Sequence, residues 1–542
     1  MATFDYVIVG GGSAGSVLAA RLSEDGRHTV LLLEAGGAGH HPWIKIPIGY
    51  GKVFYDRRFN WKYTTEPDPN LNGRRMYWPR GKVLGGSSAI NAMVYVRGHP
   101  QDYEEWGEAA PGWGWRDVAP MFKRMEDWQG PEDTHRGQDG PLTVTDVSQA
   151  MHPLSRAYTE AAQACDFRFN PDYNAGSMTG AAFYQITTRN GFRASSADAY
   201  LRPALNRRNL SVETGAHVTR ILFEDKRATG VIFTQKGATK TAHARAEVIL
   251  CGGALNTPQL LQLSGVGPGP HLQDLGIEVV HHAPQVGRNL MDHLGVDLMY
   301  RATRPSLNQV LRPFLGKARA ALQYALTRTG PLSMSLNQAG GFLRLRDGQG
   351  SPDLQLYFSP LSYSRAPAGK RPLMSPDPFS AYRIGFNPCK PTSLGHLHLR
   401  SPNPTDAPVM HGNYLDTEDD CQMMIQGTRL MRRIATAGPL AAVTEREVSP
   451  GAHCDSDEDI IENARNDGWT VFHQCGTCRM GQSADLSVVD PNLRVHGVEG
   501  LRVADASIFP TIPSGNTNAP AIMVGEKASD IIRADAQLGR RG

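Results

Sequence analysis

The first residues whose types and spacing point to a chemistry are Gly10-x-Gly12-x-x-Gly15 and, beyond them, Glu34. Gly10 permits a tight turn, Gly12 lets the backbone approach a pyrophosphate, and Gly15 lets a helix pack closely on a strand. A helix opening at this turn offers unpaired N–H groups and the positive end of its dipole to a phosphate. Glu34 can accept hydrogen bonds from both hydroxyls of an adenosine ribose, and its charge repels a 2′-phosphate, so NADP is disfavoured.

The elements needed to position these residues are written around them. Tyr6–Val9 is a short apolar run that reads as a buried strand, Ser16–Ser23 has apolar residues at helical spacing, and Thr29–Leu33 reads as a second strand ending at the acid. Strand, glycine turn, helix, strand and acid in that order make a dinucleotide-binding unit, which by itself does not separate FAD from NAD.

Other reactive side chains carry less. Gly85-Gly86-Ser87-Ser88 with Asn91 can cradle a phosphate or line a ring, or start a helix with Ser87 as its cap. Cys475-x-x-Cys478 has no second CxxC, so neither thiol redox chemistry nor zinc is favoured. His40-His41 and His281-His282 lack metal-ligand spacing, and no metal site is expected. Ser195-Ser196 lacks the Gly-x-Ser-x-Gly context of a hydrolase.

Composition sets bounds. The 542 residues are 40% hydrophobic and 20% charged, with a net charge of +3, which argues against nucleic acid or an anionic membrane surface as partner. Seven cysteines, an odd number at low density, argue against a disulfide framework. No apolar run approaches the ~20 residues of a membrane span. The first strand leaves no room for a leader, so a cytoplasmic protein is expected.

Along the chain, Asp117–Trp128 and Arg156–Cys165 read as helices. Val218–Phe223 and Gly230–Thr234 read as paired strands. Val248–Leu250 reads as a strand leading into a helix opened by Asn256-Thr257-Pro258, with the proline in its first turn. Beyond Met299 the texture changes to strands separated by Pro-rich loops, which predicts a second domain on an antiparallel sheet. Near the end, WTVFHQCGTCRMG (Trp469–Gly481) and Ser514-Gly515-Asn516-Thr517-Asn518 precede a long helical run from Ala519, with Asn518 as its cap.

Taken together, these stretches resemble the glucose–methanol–choline (GMC) oxidoreductases nearly from end to end. The resemblance rests on the N-terminal fingerprint, Gly81–Glu104, Gly253–Gly267, His473-x-x-Gly476-Thr477-Cys478-Arg479-Met480-Gly481, and Asn516-Thr517-Asn518-Ala519-Pro520. It implies an α/β fold with a discontinuous Rossmann-like FAD-binding domain and a substrate domain on an antiparallel sheet with helices. The expected flavin segments are 1–155, 191–298 and 466–542, and the expected substrate segments are 156–190 and 299–465.

The resemblance also implies FAD-binding residues: Gly10, Gly12, Ser13, Ala14, Gly15, Glu34, Ala35, Trp61, Val83, Gly86, Asn91, Val94, Val218, Asp505, Ala506, Thr517 and Asn518. Some members attach the flavin through a histidine beside the position of Asn91. Here that neighbour is Ile90, so non-covalent FAD is expected.

The implied activity is oxidation of a primary alcohol to an aldehyde, by hydride transfer to FAD N5, with oxygen or a quinone-like acceptor restoring the flavin. His473 is the expected base, since an imidazole titrates near working pH. Asn516 is expected to orient the alcohol oxygen. Val471, Phe472 and Gln338 are expected to line the substrate space. Asn337-Gln338 stands where choline-specific relatives place Phe-Glu, so a non-ionic alcohol is favoured over choline. A choline dehydrogenase-type enzyme is the alternative, and a hydroxynitrile lyase on the same scaffold is the alternative of another class.

Overall fold

Ala2–Val9 lies at the centre of a seven-stranded sheet. It pairs in parallel with Val30–Glu34 on one side and with Ala238–Leu250 on the other. Leu210–Thr214 extends the sheet beyond Val30–Glu34, and Leu501–Val503 pairs in parallel with the end of Ala238–Leu250. The antiparallel strands Ala216–Glu224 and Arg227–Gln235 complete it. Val30–Glu34 is buried along its whole length, as expected for a parallel strand covered on both faces. The Ser13–Leu22 and Asn518–Leu538 helices pack together on this sheet. The chain is a computed structural model that describes residues 2–346, 350–363 and 375–538.

A second sheet is antiparallel throughout. Its order is Thr444–Ser449, Leu294–Ala302, Ala381–Pro388, Leu354–Ser359, Ala339–Leu343 and Gly180–Phe183, and Trp469–Thr470 pairs with the start of Leu294–Ala302. The fold is α/β, with this sheet backed by the Glu418–Ala435 and Pro153–Ala164 helices.

Several local expectations change. The helix expected over Asp117–Trp128 is Trp115–Met125, and Glu126–Gln129 is instead a strand paired with Leu142–Thr145. The helix expected from Asn256 starts at Gly253, which puts Pro258 in its interior. Proline there leaves the carbonyl four residues back without its N–H partner. That carbonyl, of Ala254, instead accepts the Thr477 hydroxyl at 2.6 Å. Ser87 does not cap a helix: Gly86–Ala89 is a short 3-10 turn, and Ser87 Oγ accepts the Gly81 N–H. The last helix already includes Asn518.

Candidate functional site

Between the two sheets lies a cavity of about 690 Å³. Of the residues expected to bind cofactor, Gly10, Gly12, Ser13, Ala14, Gly86, Asn91, Val94, Asp505, Ala506, Thr517 and Asn518 line it, as do Val471, Phe472, His473 and Asn516. Ala35, Trp61 and Val218 line a smaller adjoining recess. Glu34 is buried beside the glycine turn, where its two oxygens accept N–H groups of Gly11 at 2.9 Å and Gly36 at 2.7 Å. Burial pushes its pKa up to about 7 against those bonds.

Three expected residues lie elsewhere. Gly15 serves packing: a Cβ there would sit 1.9 Å from the Gly10 carbonyl oxygen. The Val83 side chain is fully buried in an apolar cluster with Ile44, Ile90 and Leu361. Gln338 does not line the cavity, because neighbours in an extended, paired segment face opposite sides. Its Oε1 accepts the His152 N–H and the Ser155 hydroxyl, while Asn337 takes the cavity side.

The lining fits a dinucleotide. The Ser13–Leu22 helix opens with no side chain capping its first turn. Its N-terminus lies on the cavity wall, where its free N–H groups suit phosphate. A Cβ on Gly12 would come no closer than 3.9 Å to any protein atom, so protein packing does not require glycine there. Asp505 is fixed across the sheets' edge: its oxygens accept the Gly253 N–H, the Thr257 hydroxyl and the Ser507 N–H.

The reactive corner is built by two antiparallel stretches. Met291 and Cys475 exchange backbone hydrogen bonds, and the Val471 N–H donates to the His293 carbonyl. Buried Asp292 ties them together, accepting the His473 N–H at 2.8 Å, the Gln474 amide at 2.6 Å, the Tyr414 hydroxyl at 2.5 Å and the Thr470 hydroxyl. Between them Phe472 has φ +69°, a left-handed conformation that turns the chain so that His473 faces the cavity.

One carbonyl fixes the protonation of this corner. His293 Nε2 lies 3.0 Å from the Cys389 carbonyl, which can only accept, so Nε2 carries the proton. Burial lowers the His293 pKa to about 4, so the ring is neutral and its Nδ1 is a lone pair. His473 Nδ1, 2.9 Å away, must therefore donate to it. Burial first, then the neighbouring His293, holds His473 well below the usual imidazole range, so it too is neutral. Its Nε2 is the free base, and it accepts from Asn516 Nδ2 at 3.1 Å. Asn516 Oδ1 accepts from Gln355 Nε2 at 3.0 Å, and Gln355 Oε1 accepts the Tyr357 hydroxyl at 2.8 Å. From Tyr357 to Cys389, every hydrogen bond points the same way.

Sequence reasoning missed His293, Asp292, Gln355 and Tyr357. None lies in a motif, and only the folding of the second sheet brings them to His473 and Asn516.

The GMC oxidoreductase profiles match residues 4–295 and 391–525, and the chain belongs to this family. It is 43% identical to human mitochondrial choline dehydrogenase (Homo sapiens), covering 99% of this chain and 90% of that one. It is 41% identical to the alcohol dehydrogenase [acceptor] of Pseudomonas putida, covering 98% and 95%. Among solved structures it superposes on an Aspergillus oryzae formate oxidase studied for FAD modification, with a TM-score of 0.92, 27% identity and 99% coverage of both chains. The chain is thus an FAD-dependent oxidoreductase acting on CH–OH donors.

Proposed function

We propose that the chain oxidises a non-ionic primary alcohol to its aldehyde, with His473 as base, Asn516 as the group that orients the alcohol, and FAD held non-covalently. The observation that carries this reading is the one-way hydrogen-bond chain, which leaves the His473 Nε2 lone pair at the cavity wall. An alcohol O–H that donates to Nε2 replaces Asn516 there, and the amide N–H is then placed to meet the alcohol oxygen. As the proton moves to Nε2, His473 becomes cationic, and its Nδ1–H keeps the His293 acceptor. FAD bound in this cavity supplies the acceptor for the hydride that leaves the carbinol carbon. Gly12, Ser13 and Ala14 would hold its phosphates, with Glu34 at the ribose and Val218 at the adenine.

The division into flavin segments 1–155, 191–298 and 466–542 and substrate segments 156–190 and 299–465 belongs to the same reading. The two sheets support its outline, because Gly180–Phe183 joins the second sheet although it precedes most of the first, but the Leu294–Ala302 strand crosses the 298/299 boundary within the second sheet. Oxygen or a quinone-like acceptor restores the flavin.

Choline is the competing substrate, because choline dehydrogenases are among the relatives. The cavity charge argues against it. Four arginines (Arg74, Arg75, Arg80 and Arg383) border the space against three carboxylates (Asp297, Asp467 and Asp505), Asp297 is paired with Arg383 at 3.4 Å, and neutral Asn337 faces the interior. A panel of aliphatic and aromatic alcohols and choline, assayed with and without oxygen, tests this. The highest kcat/KM should belong to an uncharged primary alcohol, and choline in first place would reverse the assignment.

A further inference from the structure

Phe314–Thr327 is a helix of 14 residues whose outer face is exposed among the described residues. Phe314 is 83% exposed, Leu315 79%, Leu326 75% and Leu322 61%. Of the ten large apolar side chains exposed among the described residues, these four share one helix. At 100° per residue they fall, with exposed Ala318 and Ala325, within an arc of about 120°. The buried residues Ala320 and Tyr324 lie on the opposite side and hold the helix to the protein. The stripe is therefore surplus to folding, and a continuous exposed patch of this kind marks an interaction surface.

The sequence on either side of it is basic. No Asp or Glu occurs between Asp297 and Asp347, while Arg301, Arg304, Arg312, Lys317, Arg319, Arg328, Arg344 and Arg346 do. Arg301 pairs with Glu445 and Arg346 with Asp419, so the local excess rests on Arg304, Arg312, Lys317, Arg319 and Arg328, and the net charge of +3 hides it. Lys317 also adjoins Lys52: burial and then the Lys317 charge lower the Lys52 pKa. An apolar stripe flanked by cations suits a helix lying in the headgroup layer of an anionic bilayer. It is too short to span, and among the described residues no helix is long and apolar enough to cross a membrane. A second copy of the chain would bring like charges face to face, which disfavours self-association through this surface.

We propose that Phe314–Thr327 docks the protein on the surface of an anionic phospholipid membrane. Docking there would set the cavity near the lipid, because the chain runs from this helix directly to Leu336 and Asn337 on the cavity wall.

The test is co-sedimentation of the flavin-loaded full chain with vesicles of phosphatidylcholine alone or mixed with phosphatidylglycerol. Binding should require phosphatidylglycerol, weaken at high salt, and fall at least tenfold in the Leu315→Ser/Leu326→Ser double variant, with flavin content and thermal unfolding unchanged. A Phe314→Trp reporter should shift its emission to the blue on the mixed vesicles. No sedimentation, equal binding by the double variant, or a dimer that these substitutions abolish would overturn the proposal. So would specific capture of a protein partner through this helix without lipid binding.

Discussion

His293 Nδ1 lies 2.9 Å from His473 Nδ1, two ring nitrogens that share one proton. Because His293 gives its own proton to the Cys389 carbonyl, the shared one belongs to His473. His293 touches the cavity only through His473, so it is a positioning residue that selects which imidazole nitrogen is the base.

Its substitution therefore has two distinct outcomes. Gln at this position can donate an amide N–H to Cys389 and offer its oxygen to His473, while Phe can do neither. Anaerobic flavin reduction should slow about tenfold or more in His293→Phe, the scale of one lost buried hydrogen bond, and stay near the parent rate in His293→Gln. Substrate KM should change little in either. Equal loss in both variants would show that His293 only fills space.

Acid should destabilise the fold through the same ring. Unfolded, an imidazole takes its proton near 6.5; folded, His293 does so only at about 4. Between those values the unfolded chain binds more protons, so stability rises with pH and is lost as pH falls from 6.5 to 4. The full loss is roughly 3 kcal/mol. His293→Gln should shed that much less between pH 7 and pH 4 in denaturant titrations. Parallel curves for the two proteins would refute this.

The two glycines of the turn should separate binding from folding. Gly12→Ala meets no protein atom nearer than 3.9 Å, so thermal unfolding of the apoprotein should be unchanged while FAD affinity falls by about tenfold or more. Gly15→Ala puts a Cβ 1.9 Å from Gly10 O and should lower stability directly. Flavin fluorescence titration with a thermal melt distinguishes them, and unimpaired FAD binding by Gly12→Ala would count against the phosphate cradle.

Flavin should leave the protein on acid precipitation. Ile90 stands beside Asn91 on the cavity wall, and no histidine lies between Gly85 and Arg97. Yellow supernatant and colourless pellet are expected. Colour retained in the washed pellet would mean a covalent link through another residue.

The glycine turn and the block around His473 were legible in the chain because their signals are local: small residues at fixed spacing, next to apolar strands. His293 was not, since a single histidine ahead of the Leu294–Ala302 strand looks like any core residue until the second sheet brings its partner to it. Which of Asn337 and Gln338 faces inward is not written in the sequence, because a shift of one residue reverses the face. The interior position of Pro258 was hidden for a similar reason: the Thr477 hydroxyl that satisfies Ala254 comes from the far end of the chain. The basic helix Phe314–Thr327 disappeared into an average charge.

The most direct test is the rate at which a good alcohol reduces the flavin in His473→Ala under nitrogen, followed by stopped-flow absorbance. The loss of a general base predicts a fall of about a hundredfold to ten-thousandfold, with the flavin still bound and its spectrum intact. Reduction at close to the parent rate would mean that the proton leaves by another route.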